Sequence, residues 1–328
     1  MYSKKDLLKI YRESFSDSEE YVENFFKRYY SHRRTVCVFA DGGIVSALYL
    51  MHLNTEFYGK QIPAPLIVGA ATAKPQRGKG YFKRLIAKTV KKHADAEEPF
   101  LLLYPSDENI RGAYERMGFC NVSFVSEFVA RYDGTDAEEK PATVDETLAI
   151  FNKSFCTMPI RQYRVKTEFR HLFERWKSEN IVARTYERNG RKCYVAFNES
   201  EVEEAVGDLL VLNGVKDFDG KKFIDYFGST QPYIMARVTA PKVLLKCVEY
   251  NKVYADLRFR IIDELCPQND MVLRLGLMRG KPTVTSSVEY DFCVKVQDLV
   301  KLAFGGTVED CPLNEVFPKN KAVFVNKY

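Results

Sequence analysis

Nothing in this chain looks like a disulfide framework. Its eight cysteines (Cys37, Cys120, Cys156, Cys193, Cys247, Cys266, Cys293, Cys311) are scattered, and none forms a C-x-x-C pair. That pattern predicts reduced, buried thiols in a cytoplasmic protein. Histidine is scarce, with four residues (His32, His52, His93, His171) and no H-E-x-x-H, so no metal site is expected. No apolar run approaches the ~20 residues of a membrane span. The opening stretch MYSKKDLLKIYRESF lacks the apolar core and small-residue cleavage site of a signal peptide. No membrane partner is therefore expected. Charge of one sign is also missing. The 49 Lys+Arg against 44 Asp+Glu leave +5, too small a surplus for a general nucleic-acid binder.

What is present is the material of a soluble globular protein: 46% hydrophobic and 28% charged residues, with 20 Tyr and 23 Phe to fill a core. The 328 residues suggest two or three domains at roughly 100–200 residues each. The first segment, 1–132, opens with helical patterning (Leu7, Leu8, Ile10, Tyr11, then Tyr21, Phe25, Phe26, Tyr29, Tyr30). Strand-like runs follow at Thr35 to Ala40, Ile44 to Leu53 and Leu66 to Ala73. An amphipathic helix, Tyr81 to His93, and a short buried strand, Phe100 to Tyr104, complete it. The polar stretch Asp133 to Glu146 reads as a linker. The second segment, 133–232, repeats the order of helix, meander strands and helix, with a turn signal at Asn189-Gly190 and no glycine-rich basic turn. The third, 233–328, alternates helices (Ala240 to Tyr250, Val296 to Phe304) with strands at Leu257 to Ile262, Met271 to Leu277 and Pro282 to Ser287. Alternation throughout predicts mixed α and β layers.

One stretch carries most of the chemical information. In PLIVGAATAKPQRGKGYFKRLIAKTVKKH an apolar strand runs into Gln76-Arg77-Gly78-Lys79-Gly80, and a helix begins at once. Glycines in a strand-to-helix turn leave backbone amides pointing into one concavity, and the helix N-terminus adds its positive dipole end. Between Lys74 and Lys92 there are eight Lys/Arg and no acid, a favourable field for a multiply charged phosphate. The spacing fits neither the Walker A loop nor G-x-G-x-x-G. Taken alone, an ordinary glycine turn before a solvated basic helix explains it equally well.

Arg77-x-x-Gly80-x-Phe82 resembles the R/Q-x-x-G-x-G/A signature of the GNAT acyl-CoA-dependent N-acetyltransferases, departing at Phe82, where the family has Gly or Ala. A bulky residue there is similar to the Eis-like branch. LLLYPSDENIRGAYERMGF resembles the GNAT strand, loop and helix that close on Tyr and Gly-Phe, and DSEEYVENFFKRYY resembles the branch's N-terminal helix. MARVTAPKVLL is the local match for the start of a third domain. The resemblance implies an α+β fold with a GNAT-type mixed sheet flanked by helices. A second, degenerate GNAT-like domain and a C-terminal sterol-carrier-like α+β domain would follow.

It also implies the chemistry. Acetyl-CoA would insert between Leu66 to Ala73 and Phe100 to Tyr104. Its pantetheine would pair with the backbone of Ala71, Thr72 and Ala73, and its pyrophosphate would lie on the loop Gln76, Arg77, Gly78, Lys79, Gly80 and Tyr81. A strand amide would face the thioester oxygen. Tyr114, on a short helix expected to be capped by Ser106 and ended by Gly118, would protonate the thiolate. The α-carboxylate of Tyr328 would be the base, its pKa raised by burial from about 3.3–3.7. Phe25, Phe26 and Tyr29 would wall an acceptor pocket, with Asp17, Glu19, Glu20 and Glu23 nearby to attract a cation. The implied reaction is direct acetyl transfer in a ternary complex to an amine: an aminoglycoside, a polyamine or a lysine-like acceptor. Kinship further implies a homo-oligomer. A non-catalytic acyl- or lipid-binding scaffold is the alternative. Nucleic-acid binding ranks last, because the basic cluster has only Tyr81 and Phe82 for stacking.

Overall fold

The computed structural model describes residues 4–325. The chain divides into two compact units. The first takes in the chain up to Leu53, Pro63–Val122 and Ile234–Lys319; the second takes in Asn54–Ile62, Ser123–Tyr233 and the chain from Asn320 on.

In the first unit α1 (Lys4–Arg12) and α2 (Glu19–Tyr29) are amphipathic, each turning one stripe inward: Leu7, Ile10 and Tyr11, then Val22, Phe25 and Phe26. Ser18 caps α2 by accepting the Tyr21 amide. Strands β1 (Thr35–Ala40) and β2 (Gly43–Phe57) form an antiparallel hairpin with Val36 opposite Leu48. Next in the sheet is β3 (Lys60–Thr72). Helix α3 (Tyr81–Asp95) then crosses over to β4 (Phe100–Leu103), which lies parallel to β3 with Leu66 opposite Leu102 and Ile67 opposite Leu103. Helix α4 (Glu108–Glu115) leads into β5 (Cys120–Val129). Leu85, Ile86 and Val90 of α3 are buried with Ile67, Leu101, Leu103, Met117 and Phe119 in one apolar cluster. The strand Gln231–Val238 covers the far edge of β4 antiparallel, Met235 opposite Leu103. A separate four-stranded sheet runs in the order Lys281–Ser286, Met271–Met278, Tyr254–Ile262, Phe292–Lys295.

The second unit holds an antiparallel sheet in the order Val202–Gly207, Arg191–Phe197, Val182–Arg188, Glu138–Pro141. Helices Val144–Phe155 and Lys166–Ser178 accompany it. Glu138–Pro141 is a strand inside the stretch expected to be a linker. Its backbone pairs with Arg184–Glu187, which the polarity of its side chains could not reveal. Late in the chain Ala322–Val323 inserts as a short strand, parallel both to β5 and to Ile160–Gln162. The Val325 amide donates to Gln162 Oε1 at 3.0 Å, and its carbonyl accepts from buried Arg164 at 2.9 Å. Tyr328 lies outside the described residues. Among those residues no helix is long and apolar enough to cross a membrane.

Candidate active site

β3 outlives its pairing with β4. Beyond Ile67 and Leu103 it continues to Thr72 with no further strand partner on that edge among the described residues. Gly69 sits at the departure with φ +56°, in the left-handed region. A Cβ placed there would come within 2.9 Å of Phe25 Cζ and 3.1 Å of both Tyr11 and Tyr49, so the absence of a side chain is required twice, by conformation and by space. An isolated glycine inside an apolar strand, as at Gly69, is the sequence signal for such a close approach.

Backbone groups along a strand address alternate edges. The Ala73 amide donates to the Val45 carbonyl at 3.0 Å, and the Ala71 carbonyl accepts the Ser46 hydroxyl at 2.9 Å, so both residues address β2. Thr72, between them, addresses the edge that β4 has left. Its hydroxyl lies 2.8 Å from Ser46 Oγ.

After Ala73 the chain makes a 3₁₀ turn, Lys74–Gln76, which engages the Gln76 amide with the Ala73 carbonyl (2.9 Å) and the Arg77 amide with the Lys74 carbonyl (3.3 Å). Beyond it the amides change state. Those of Gly78, Lys79 and Gly80 donate to no group among the described residues. Gly78 and Gly80 have φ +76° and +80°, and Gly80 is the N-cap of α3. The first-turn amides of α3 are open by helix geometry, because the first intrahelical bond at this end runs from Arg84 to Gly80. The bed of free amides therefore spans Gly78 into Tyr81 and beyond, at the positive end of a 15-residue helix. Of the loop side chains, Lys79 Nζ donates to Gln76 Oε1 at 3.0 Å, and Gln76 Nε2 reaches Asp41 at 3.3 Å. Arg77 turns away, donating to the Thr72 carbonyl and the Ser14 hydroxyl, each at 3.0 Å.

Tyr114 lies on α4, whose N-cap is Asp107, not Ser106: Asp107 Oδ1 accepts the Ile110 amide at 2.9 Å, while Ser106 donates its hydroxyl to Asp107. An ionised cap both satisfies the orphan amide and meets the helix dipole. Tyr114 is 4% exposed, with its ring edge-on to Phe82 (5.5 Å) and Phe119 (5.2 Å). Its hydroxyl has no hydrogen-bond partner among the described residues, and burial raises its pKa above the ordinary phenol value. Phe82, the departure from the family signature, is thus one wall of the Tyr114 slot.

Phe25 and Phe26 are 3% and 2% exposed and turn into an aromatic cluster with Tyr11 and Tyr49, leaving Tyr29 half-buried at its margin, 5.0 Å from Phe25. Tyr11 donates to Asp17 at 2.9 Å, and burial, reinforced by that carboxylate, raises the phenol pKa. Tyr11, Tyr49, Ser46 and Gly69 are contributors to this region that sequence reasoning missed. Among the described residues no cluster of three or more His, Cys, Asp or Glu is placed to hold a metal.

Residues 3–121 match the acetyltransferase (GNAT) domain family. No curated protein sequence matches the chain. Among solved structures, a protein of unknown function from Enterococcus faecalis described as a probable N-acyltransferase superposes with a TM-score of 0.74 at 13% identity, over 99% of this chain and 97% of that one. A GCN5-related N-acetyltransferase from Kribbella flavida gives 0.73 at 16% identity, over 98% and 94%. The Eis1 protein of Mycobacterium abscessus gives 0.69 at 13% identity, over 99% and 97%. These likenesses establish a mixed α+β, GNAT-like fold. The strand, the amide-lined turn, the helix and the buried tyrosine all lie within the 3–121 stretch that matches this acetyltransferase domain, and the match supports an acyltransferase.

Proposed function

We propose that the protein transfers the acetyl group of acetyl-CoA to a primary amine by direct attack within a ternary complex. The observation that carries this reading is the unengaged run of amides from Gly78 into the first turn of α3, set where β3 loses its neighbour. A diphosphate there would gain several charge-assisted hydrogen bonds without displacing any the protein already makes. On the edge that β4 has left, the Thr72 carbonyl is held by Arg77, so an amide-bearing arm laid there as an added strand would pair with the Thr72 amide. The neutral amine forms a bond to the thioester carbonyl carbon, the C–S bond breaks, and Tyr114 gives its proton to the departing thiolate. A phenol kept protonated by burial is suited to that task. The proton leaving the nitrogen passes to a base, for which the α-carboxylate of Tyr328 is our candidate.

Aminoglycosides, polyamines and lysine-like amines are the acceptor classes of this proposal. Tyr29 and the acidic groups Asp17, Glu19, Glu20 and Glu23 lie on or beside α2, where a cation would be attracted. The same proposal takes 1–132, 133–232 and 233–328 as sequence modules, the second GNAT-like and the third sterol-carrier-like, in a cytoplasmic homo-oligomer. The test is free-thiol release from acetyl-CoA with tobramycin, spermidine and a lysine peptide, alongside calorimetric titration with coenzyme A. Turnover with one of these amines is expected. Absence of coenzyme A binding would refute the proposal, and binding without turnover on any amine would favour the scaffold. Deleting Tyr328 is expected to cut turnover while leaving coenzyme A affinity within about threefold.

A further inference from the structure

Arg77 stands at the start of the amide bed, yet its guanidinium is committed elsewhere. Nε donates to the Thr72 carbonyl at 3.0 Å; Nη2 donates to the Ser14 hydroxyl at 3.0 Å and reaches the Glu13 carbonyl at 3.4 Å. A second tie runs beside it, from the Lys74 amide to Glu13 Oε2 at 3.3 Å. The corner that ends α1 is therefore fastened to both sides of the 3₁₀ turn.

That corner is continuous with the aromatic wall. The Ser14 and Phe15 amides both donate to the Tyr11 carbonyl at 2.9 Å, closing α1 on the residue whose hydroxyl holds Asp17. The Tyr11 ring stands 4.5 Å from Phe15 and 4.7 Å from Phe25, and the site where a Gly69 side chain would go touches both Tyr11 and Phe25. A displacement of residues 13–14 is thus felt at the aromatic cluster beside Gly69 of β3.

A guanidinium is a rigid planar fork, and this exposed one has acceptors along its Nε–Nη2 edge, with Nη1 making no hydrogen bond among the described residues. To turn its two-pronged Nε–Nη2 edge onto a diphosphate on the Gly78–Gly80 amides it would have to abandon the Thr72 carbonyl and release the α1 corner together. We propose that Arg77 is instead a positioning residue that couples the cofactor loop to residues 13–18, so that filling the loop fixes the aromatic cluster of Tyr11, Phe15 and Phe25. This rests on the acetyl-CoA reading of the loop. It assigns to Arg77 a mechanical task and leaves phosphate binding to main-chain amides and Lys79.

Hydrogen exchange of residues 12–18, measured with and without saturating coenzyme A, tests the coupling in the wild type and in Arg77→Met and Arg77→Lys. Calorimetric titrations at low and high salt run beside it. In the wild type, coenzyme A is expected to slow exchange at Ser14 and Phe15 about fivefold or more. Both variants should bind coenzyme A within about threefold of wild type but lose that protection, because an ammonium cannot span the Thr72 and Ser14 acceptors. If Arg77→Met loses more than about tenfold in affinity, with a deficit that shrinks in salt and is restored by lysine, Arg77 is a diphosphate ligand and the proposal is overturned. Protection retained in Arg77→Met would overturn it equally, leaving the acetyl-CoA reading intact. Failure of the wild type to bind coenzyme A would remove both.

Discussion

Replacing Tyr114 by Phe isolates one oxygen atom. The ring contacts to Phe82 and Phe119 survive the change, and the hydroxyl has no hydrogen-bond partner among the described residues whose loss would leave a group unsatisfied. Stability should therefore stay within about 1 kcal/mol of wild type, in either direction. Turnover should fall on the order of 100-fold, about 2.7 kcal/mol of barrier, because the thiolate must then wait for a proton from solvent. The loss belongs in kcat, since the hydroxyl helps only once sulfur carries charge, and acetyl-CoA affinity should be unchanged. The direction of the pKa shift adds a second readout. Burial raises the phenol pKa, so the acid stays protonated through neutral pH. Ionisation of Tyr114 should therefore cause no decline in kcat below pH ~10. Thiol-release kinetics, a pH profile and a thermal melt on the two proteins suffice. A rate within about twofold of wild type would refute the acid role, and a loss appearing in acetyl-CoA affinity with a lowered Tm would show that Tyr114 is structural.

Gly69→Ala should destabilise the protein by about 1–3 kcal/mol, visible as a lower urea midpoint, because its Cβ would press on Phe25, Tyr11 and Tyr49 at a left-handed φ; an unchanged midpoint would mean that β3 relaxes freely there. Glu204→Gln should cost about 3–5 kcal/mol, read as a lower urea midpoint, because Arg164, 6% exposed at its side chain and held by both Glu204 oxygens at 2.6 and 2.7 Å, would lose its counter-charge. Above pH ~10 thermal stability should fall as pH rises: the pKa values of Tyr11, Tyr114, Tyr186, Tyr194 and Tyr226 are raised in the folded state, with burial the main cause, so unfolding releases protons there and is favoured by alkali. A flat Tm between pH 9 and 11 would contradict those burials.

The parts of the site that were legible in the sequence are those made by neighbours in the chain. β1 spans Thr35–Ala40 as its composition predicts, and α3 starts at Tyr81 because Gly80 leaves the helix no earlier beginning. What periodicity cannot carry is the direction in which a side chain or a backbone group finally points. Phe25 and Phe26 have the spacing of an amphipathic stripe, which says only that they face something; that the something is Tyr11 and Tyr49 depends on a glycine 44 residues later. Arg77 reads as a phosphate ligand from its motif, and its partners Glu13 and Ser14 lie more than 60 residues away. Glu138–Pro141 looks like linker because its side chains are polar, yet a four-residue edge strand needs only main-chain partners.

The strand Gln231–Val238 has a practical bearing on how the protein can be cut. It shields β4, whose four residues are all buried, although it is encoded more than a hundred positions downstream. Expressing residues 3–121 by themselves would strip that cover and present the bare, wholly apolar far edge of β4 to every other molecule in solution. Such an edge recruits strands from its neighbours, so the fragment should precipitate or pair with itself, and a soluble minimal version would need the later strand grafted back beside Leu101–Leu103.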